Sequence, residues 1–198
     1  VAGPQDPTSR FYADNAETYV EHARAPSRER LDPFLACLPN GAEILELGCG
    51  NGRDSAEMLS RGFEVTPTDG IAEIAAEASR RLNMPVSVLR FEEIAFVSAF
   101  DGIWANACLL HVPRIGLGAV FGRIHRALRP GGAFYASFKA GEAEGQDRLG
   151  RYYNYPSEAW LKTLCTDLPW RNLTFDMTHG SAYDGQPTDW LHLFAVKA

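Results

Sequence analysis

"ILELGCGNGRD", residues 44–54, decides the fold. An apolar run gives way to Gly48, Gly50 and Gly52, three glycines in five positions, followed by the charged pair Arg53 and Asp54. The apolar run reads as a buried strand, and the residues after the glycines read as a helix near 53–60 that Gly62 ends. Glycine lets the backbone take left-handed angles and come within contact distance of a ligand, while the start of a helix offers unpaired N–H groups to an anion. A glycine-rich turn between strand and helix is common in α/β folds, so three glycines alone are a weak signal.

Outward from this stretch the same unit repeats. "FEVTPTD" (63–69) is a second strand, and the helix after it places Ile71, Ile74, Ala75, Ala78 and Leu82 on one face. "VSVL" (86–89) and "DGIWAN" (101–106) are the third and fourth strands. A helix bearing Leu117, Val120, Phe121, Ile124 and Leu128 follows, and Pro130, Gly131 and Gly132 break it before the fifth strand, "AFYASF". The remainder reads as a helix over 157–165 and two strands near 172–177 and 190–196 that adjoin without a helix, hence antiparallel. Ahead of the first strand, "RFYADNAETYVEHAR" reads as one helix and "SRERLDPFLACL" as another, with Ser27 as N-cap. The expected fold is α/β: a Rossmann-like, mainly parallel seven-stranded sheet with helices on both faces, an antiparallel final hairpin and an N-terminal helical cap. Residues 1–198 are expected to form one domain, with the cap at 1–40, a cofactor-binding core at 41–138, and an acceptor loop, helix and hairpin at 139–198.

Composition restricts the classes of function. With 45% apolar and 22% charged residues the chain is globular, and no apolar run nears the about 18 residues of a membrane span. "VAGPQDPTSR" lacks the basic and apolar regions of a signal peptide, so the expected location is the cytosol. Cys37, Cys49, Cys108 and Cys165 form no CxxC pair, which argues for free thiols and against a metal site. A net charge of −6 repels polyanions, so a small molecule is expected as partner rather than nucleic acid or membrane, in a monomer or homodimer.

The dinucleotide pattern G-x-G-x-x-G fails, because its last glycine falls at Arg53, and this disfavours a nicotinamide oxidoreductase. What remains is Glu46, two places before the glycines, and Asp69 at the end of the second strand, where a carboxylate can accept both hydroxyls of a ribose. On "ELGCGNG" (46–52), Asp69, "FDGIWANACLLHV" (100–112) and "ALRPGGAFYAS" (127–137), nearly the whole chain resembles the class I S-adenosylmethionine-dependent methyltransferases. "GCG-x-GRD" with the leader "FY-x-x-N-A-x-x-Y" is similar to a bacterial small-molecule branch, in the neighbourhood of tellurite-resistance-type enzymes.

The resemblance implies S-adenosylmethionine as cofactor. It places Gly48, Cys49 and Gly50 against the methionine part, Glu46 at its amino group, Asp69 on the ribose diol, and Gly70 and Ile71 beside the adenine. Relatives carry an acidic residue and a small one after the third strand; "LRFEEI" departs from this, leaving Phe91 to stack on the adenine and Glu92 to accept its amino group, or Phe91 in the core and Glu92 in solvent. Ala107, just beyond the fourth strand, borders the cofactor in the same reading. Tyr12, Tyr19 and Arg24 on the leader helix can fold over the cofactor, or the tyrosines can be core and Arg24 solvated. Arg53 in the first turn of a helix opposes the dipole and requires a partner, Asp54 or a bound carboxylate.

On the acceptor side, His111 stands where relatives face the methyl group and can act as general base, although a lone histidine is more often structural. "KAGEAEGQDRLGRYYNYPSEAW" is a long polar loop whose Lys139, Arg151, Tyr152 and Tyr153 are candidates for binding an aromatic or anionic acceptor. The expected reaction is in-line methyl transfer to oxygen, nitrogen, sulfur or a chalcogen oxyanion. The alternative is a non-catalytic module that binds S-adenosylmethionine for sensing.

Overall fold

The computed structural model describes residues 6–22 and 25–198. In chain order the elements are α1 (Pro7–Asp14), α2 (Ala16–Glu21), α3 (Arg28–Ala36), β1 (Glu43–Leu47), α4 (Arg53–Ser60), β2 (Glu64–Asp69), α5 (Ala72–Leu82), β3 (Ser87–Val88), β4 (Phe100–Ala105) and α6 (Arg114–Ala127). They continue with β5 (Leu128–Lys139), β6 (Gly145–Gln146), β7 (Tyr152–Tyr153), α7 (Glu158–Cys165), β8 (Trp170–Ser181) and β9 (Pro187–Lys197).

The main sheet has seven strands in the order β3-β2-β1-β4-β5-β9-β8. Strands β1 to β5 pair in parallel, and β9 runs antiparallel to both β5 and β8. From β1 the chain builds outward to β3 on one side, then returns to place β4 on the other side of β1. At that reversal the helices that follow β1 and β4, α4 and α6, lie on opposite faces of the sheet, and the carboxyl ends of the strands open into a crevice.

Two apolar clusters cover the faces of the sheet. On one, Leu117, Phe121 and Ile124 of α6 and Leu161 of α7 pack on Leu45, Ile103 and Phe134. On the other, Leu31 and Phe34 of α3 and Met58 of α4 pack on Ile44, Trp104 and Tyr135. A third, small cluster joins Ala16 and Val20 of α2 to Ile74 of α5, which fixes the N-terminal cap over the carboxyl ends of the strands.

Several elements depart from the sequence reading. The leader is two helices rather than one, broken at Asn15, whose side-chain amide donates to the Phe11 carbonyl at 2.8 Å in competition with the helix ladder. Ser27 stands at the start of α3 without making a side-chain cap. β5 begins at Leu128 and carries Pro130, Gly131 and Gly132 within it as an irregularity against β4, so these residues kink the strand instead of preceding it. The β8–β9 hairpin pairs from Trp170–Lys197 to Ser181–Pro187, well beyond the apolar segments seen in the sequence, because its outer half is polar and lines the crevice. The loop after β5 folds into the small β6–β7 hairpin.

Candidate functional site

A cavity of about 700 Å³ opens over the carboxyl ends of β1, β2, β4 and β5, beneath α1 and α2. The glycine loop forms one end of it. Gly48 has φ +62°, and a β-carbon there would stand 2.5 Å from that of Cys108. Gly48 is therefore bare because the loop after β4 crosses it. Gly50, at φ +57°, faces the Tyr19 ring across the cavity, and its N–H donates to Asp69 Oδ2 at 3.1 Å. The Ile71 N–H donates to the other carboxylate oxygen of Asp69 at 3.0 Å.

Three carboxylates line this end. Glu46 and Asp54 are each 3% exposed and Asp69 is 7% exposed. Ser55 donates its hydroxyl to Glu46. Asp54 Oδ2 accepts from the Trp104 indole and from the Asn106 amide, both at 3.0 Å. The chain of donors continues, with Ser137 giving its proton to the Asn106 carbonyl and receiving the Ala107 N–H, each at 2.8 Å. Asp54 Oδ1 is buried and accepts no hydrogen bond among the described residues, with the Arg53 guanidinium 3.5 Å away. Burial pushes the Glu46 carboxyl well above its ordinary pKa, with the neighbouring Asp54 charge adding to the effect. Burial likewise raises Asp69 to about 6, against the opposing pull of its backbone donors.

These residues fit the cofactor that the resemblance implies. S-adenosylmethionine carries an ammonium, a sulfonium and one carboxylate, hence a net positive charge, and a crevice with three buried carboxylates and one arginine is complementary to it. An Asp54 oxygen that accepts no hydrogen bond among the described residues, together with the raised Glu46 and Asp69 carboxyls, is what a protein cavity shows when part of the compensating charge belongs to a ligand. A pH dependence follows. Ribose hydroxyls donating to Asp69 would favour its ionised form, so binding of that kind would draw its pKa down. Affinity for S-adenosylhomocysteine is expected to be level above pH 7 and to fall about tenfold per pH unit well below pH 6. Calorimetric titrations between pH 5 and 8 check this.

At the other end of the cavity His111 is fixed from two sides. Its Nδ1 is 2.7 Å from the Tyr152 carbonyl, which can only accept, so Nδ1 carries the proton. Nε2 is then bare and accepts from the Tyr12 hydroxyl at 2.9 Å. Burial lowers the pKa of His111 to about 4, leaving a neutral imidazole near pH 7. The segment carrying the Tyr152 carbonyl is held in place from two sides. Thr8 of α1 accepts the Tyr152 N–H at 2.8 Å, and the Asn154 amide donates to the carbonyls of Leu109 and Val112 on either side of His111.

Arg151 is 1% exposed. Its Nε and Nη2 both donate to Asp147 Oδ2, at 3.0 and 2.7 Å, and its guanidinium lies 5.0–5.9 Å from the ring centres of Phe11, Tyr12, Tyr153 and Tyr183. It reaches the Tyr12 hydroxyl only at 3.4 Å. Lys139, at the end of β5, is 9% exposed, with its ammonium 3.9 Å above the centre of the Tyr153 ring. Burial, with the Arg151 charge second, lowers the pKa of the Lys139 ammonium.

The residues proposed from sequence thus fall into three groups. Tyr12, Tyr19, Glu46, Gly48, Cys49, Gly50, Arg53, Asp69, Gly70, Ile71, Phe91, Glu92, Ala107, His111, Lys139, Arg151 and Tyr153 all border the one cavity. Phe91 also packs against the apolar core. Tyr152 is the exception. Its ring points outward, with the hydroxyl on Glu144, and its contribution is the backbone carbonyl on His111. Arg24 lies outside the described residues. Unforeseen were Asp54 in its network, Asn106, Ser137, Tyr183 and Trp190. Asp54 had a signal in sequence, an acid beside Arg53 in a first helical turn; Tyr183 and Trp190 had none, since the outer hairpin is not apolar enough to announce itself.

Known proteins similar to this chain are methyltransferases. The family model described as "Methyltransferase domain" matches residues 44–132. Over 159 residues the chain is 34% identical to trans-aconitate 2-methyltransferase of Variovorax paradoxus, covering 77% of this chain and 54% of that one. It is 34% identical over 121 residues to malonyl-[acyl-carrier protein] O-methyltransferase of Enterobacter lignolyticus, covering 59% and 47%. The chain therefore spans about half the length of these two curated relatives. The crystal structure of 1,6-didemethyltoxoflavin-N1-methyltransferase of Burkholderia thailandensis, with bound 1,6-didemethyltoxoflavin and S-adenosylhomocysteine, matches with a TM-score of 0.75 and 26% identity, covering 100% of this chain and 92% of that one.

Proposed function

We propose, from the premise that the chain belongs to the class I S-adenosylmethionine-dependent methyltransferases, that it methylates a small-molecule acceptor seated between His111 and the glycine loop. One observation carries this reading: a single cavity joins the Asp69 and glycine-loop crevice to a neutral histidine with an unprotonated Nε2. When bound, the cofactor supplies an electrophilic methyl group on a sulfonium, which an acceptor lone pair displaces in line. The work left to the chain is alignment, exclusion of water and removal of a proton from the acceptor.

Asp69 holds the ribose diol in this reading, with Gly50 and Ile71 fixing the carboxylate. Glu46 and Asp54 face the ammonium end, and Arg53 provides the local counter-charge. Gly70, Ile71, Phe91 and Glu92 wall the adenine, while Cys49 and Ala107 border the tail and the sulfonium. Tyr19 covers the glycine loop from α2. His111 takes the proton of an acceptor hydroxyl or amine at Nε2, displacing or passing through the Tyr12 hydroxyl that now occupies it.

Two of the three relatives favour a small acceptor, since trans-aconitate and 1,6-didemethyltoxoflavin are small molecules, whereas the malonyl group of the third is named on an acyl-carrier protein. None of them supports a chalcogen oxyanion or the tellurite-resistance neighbourhood. The charge of −6 speaks against nucleic acid, and the buried or unpaired thiols suit a reducing cytosol. No helix among the described residues is long and apolar enough to cross a membrane.

Calorimetry with S-adenosylmethionine and S-adenosylhomocysteine tests the cofactor, and no binding at millimolar ligand overturns it. Release of S-adenosylhomocysteine across an acceptor panel separates an enzyme from a sensing module, which binds cofactor and turns over nothing. With a turned-over acceptor, His111→Gln is expected to lower kcat by about a hundredfold, the usual worth of a general base, with cofactor affinity within about twofold of the original. At saturating cofactor, ionisation of His111 leaves kcat flat from pH 6 to 8, because its pKa lies near 4.

A further inference from the structure

The cavity is electrically divided. Glu46, Asp54 and Asp69 gather at the cofactor end, while the opposite end holds Lys139 and Arg151. The two cations differ in one respect that matters. Arg151 is already ion-paired: Asp147 accepts two of its N–H groups and four aromatic rings enclose it. It stiffens the wall behind Tyr12 and leaves little capacity for a ligand.

Lys139 is the reverse case. It is more than nine-tenths buried, yet among the described residues it makes no ion pair and no hydrogen bond, and its ammonium rests only on the face of Tyr153. Removing an ammonium from water without a paired acceptor costs far more than a single cation–π contact returns. Its direction follows from β5. Ser137 and Lys139 share one face of the strand, paired across to His192 and Trp190, and all four line the cavity. The Trp190 indole, paired with Thr178, leans diagonally over Gly180, where a β-carbon would stand 3.3 Å from it. The ammonium thus stands over the Tyr153 ring in a cavity that Trp190 also lines, and Tyr153 is in contact with His111, its ring centre 4.6 Å from that of the imidazole.

We infer that Lys139 receives the carboxylate of a flat acceptor lying along Tyr153 and Trp190, which carries its nucleophilic atom toward His111. A carboxylate suits the site better than a phosphate, because one ammonium matches one negative charge and the second cation is already engaged by Asp147. This deepens the methyl-transfer reading and rests on it for the direction of the acceptor.

The test uses the intact protein saturated with S-adenosylhomocysteine, whose binding is measured first. Benzoate and benzamide, equal in shape and different in charge, are then titrated and followed by ligand-observed NMR. Benzoate is expected to bind at least about tenfold more tightly than benzamide. Lys139→Met abolishes that preference and Lys139→Arg keeps most of it, with both variants retaining S-adenosylhomocysteine affinity. Equal binding of the two probes, no benzoate binding at millimolar concentrations, or a preference that survives Lys139→Met overturns the assignment. Failure to bind S-adenosylhomocysteine, with the benzoate preference intact, overturns the methyl-transfer reading instead and leaves the carboxylate site standing.

Discussion

Asp69→Ala is expected to weaken binding of S-adenosylhomocysteine by at least about a hundredfold. The carboxylate serves two sides at once in the proposed complex. Its oxygens take the Gly50 and Ile71 N–H groups, so it shapes the glycine loop, and their remaining lone pairs face the cavity where a ribose diol would donate. Loss of two hydrogen bonds to a charged group accounts for about 3–6 kcal/mol, which corresponds to at least two orders of magnitude in affinity. Asp69→Glu separates the effects, because a carboxylate displaced by one methylene can still neutralise charge but not span the diol. Calorimetry on both variants decides the matter: binding by Asp69→Ala within tenfold of the original chain would mean that the sugar is held elsewhere.

The second large effect concerns stability. Gly48→Ala places a β-carbon 2.5 Å from Cys108 Cβ on a backbone at φ +62°. Overpacking of this kind costs about 1–3 kcal/mol, and the left-handed angle adds about 1 kcal/mol for a residue other than glycine. A loss of about 2–4 kcal/mol is a large fraction of the stability of an ordinary domain. The cause can be isolated, since Cys108→Gly removes the atom that is struck. In the double variant the clash disappears and only the angular cost persists, so the two losses should fall short of adding by about 1–3 kcal/mol. Urea denaturation of the four proteins measures the coupling. Strict additivity would show that the loop after β4 does not dictate the bare position.

That result bears on why the loop is glycine-rich. From sequence, three glycines after a strand invite the reading that a ligand needs all of them. At Gly48 the neighbour that excludes a side chain is the protein itself, through Cys108, a residue sixty positions away. Nothing in residues 44–54 could reveal it. Similarly, Arg151 and Lys139 read alike in sequence, two basic residues near one loop. They differ because Asp147 and four rings close on the first while the second ends β5 facing open space. Tyr152 offers its backbone rather than its ring because β7 turns the side chain toward Glu144.

The order of strands and helices, the glycine loop at the end of β1 and the acid at the end of β2 were settled by sequence, because each depends on short-range periodicity and backbone chemistry within a few residues. The neutral tautomer of His111, the Asp54 network, the ion pairing of Arg151 and the unmatched charge of Lys139 were decided by tertiary structure alone. Each of these is a matter of which groups meet across the sheet, and burial turns such meetings into shifted pKa values and unmet charge that no local pattern encodes.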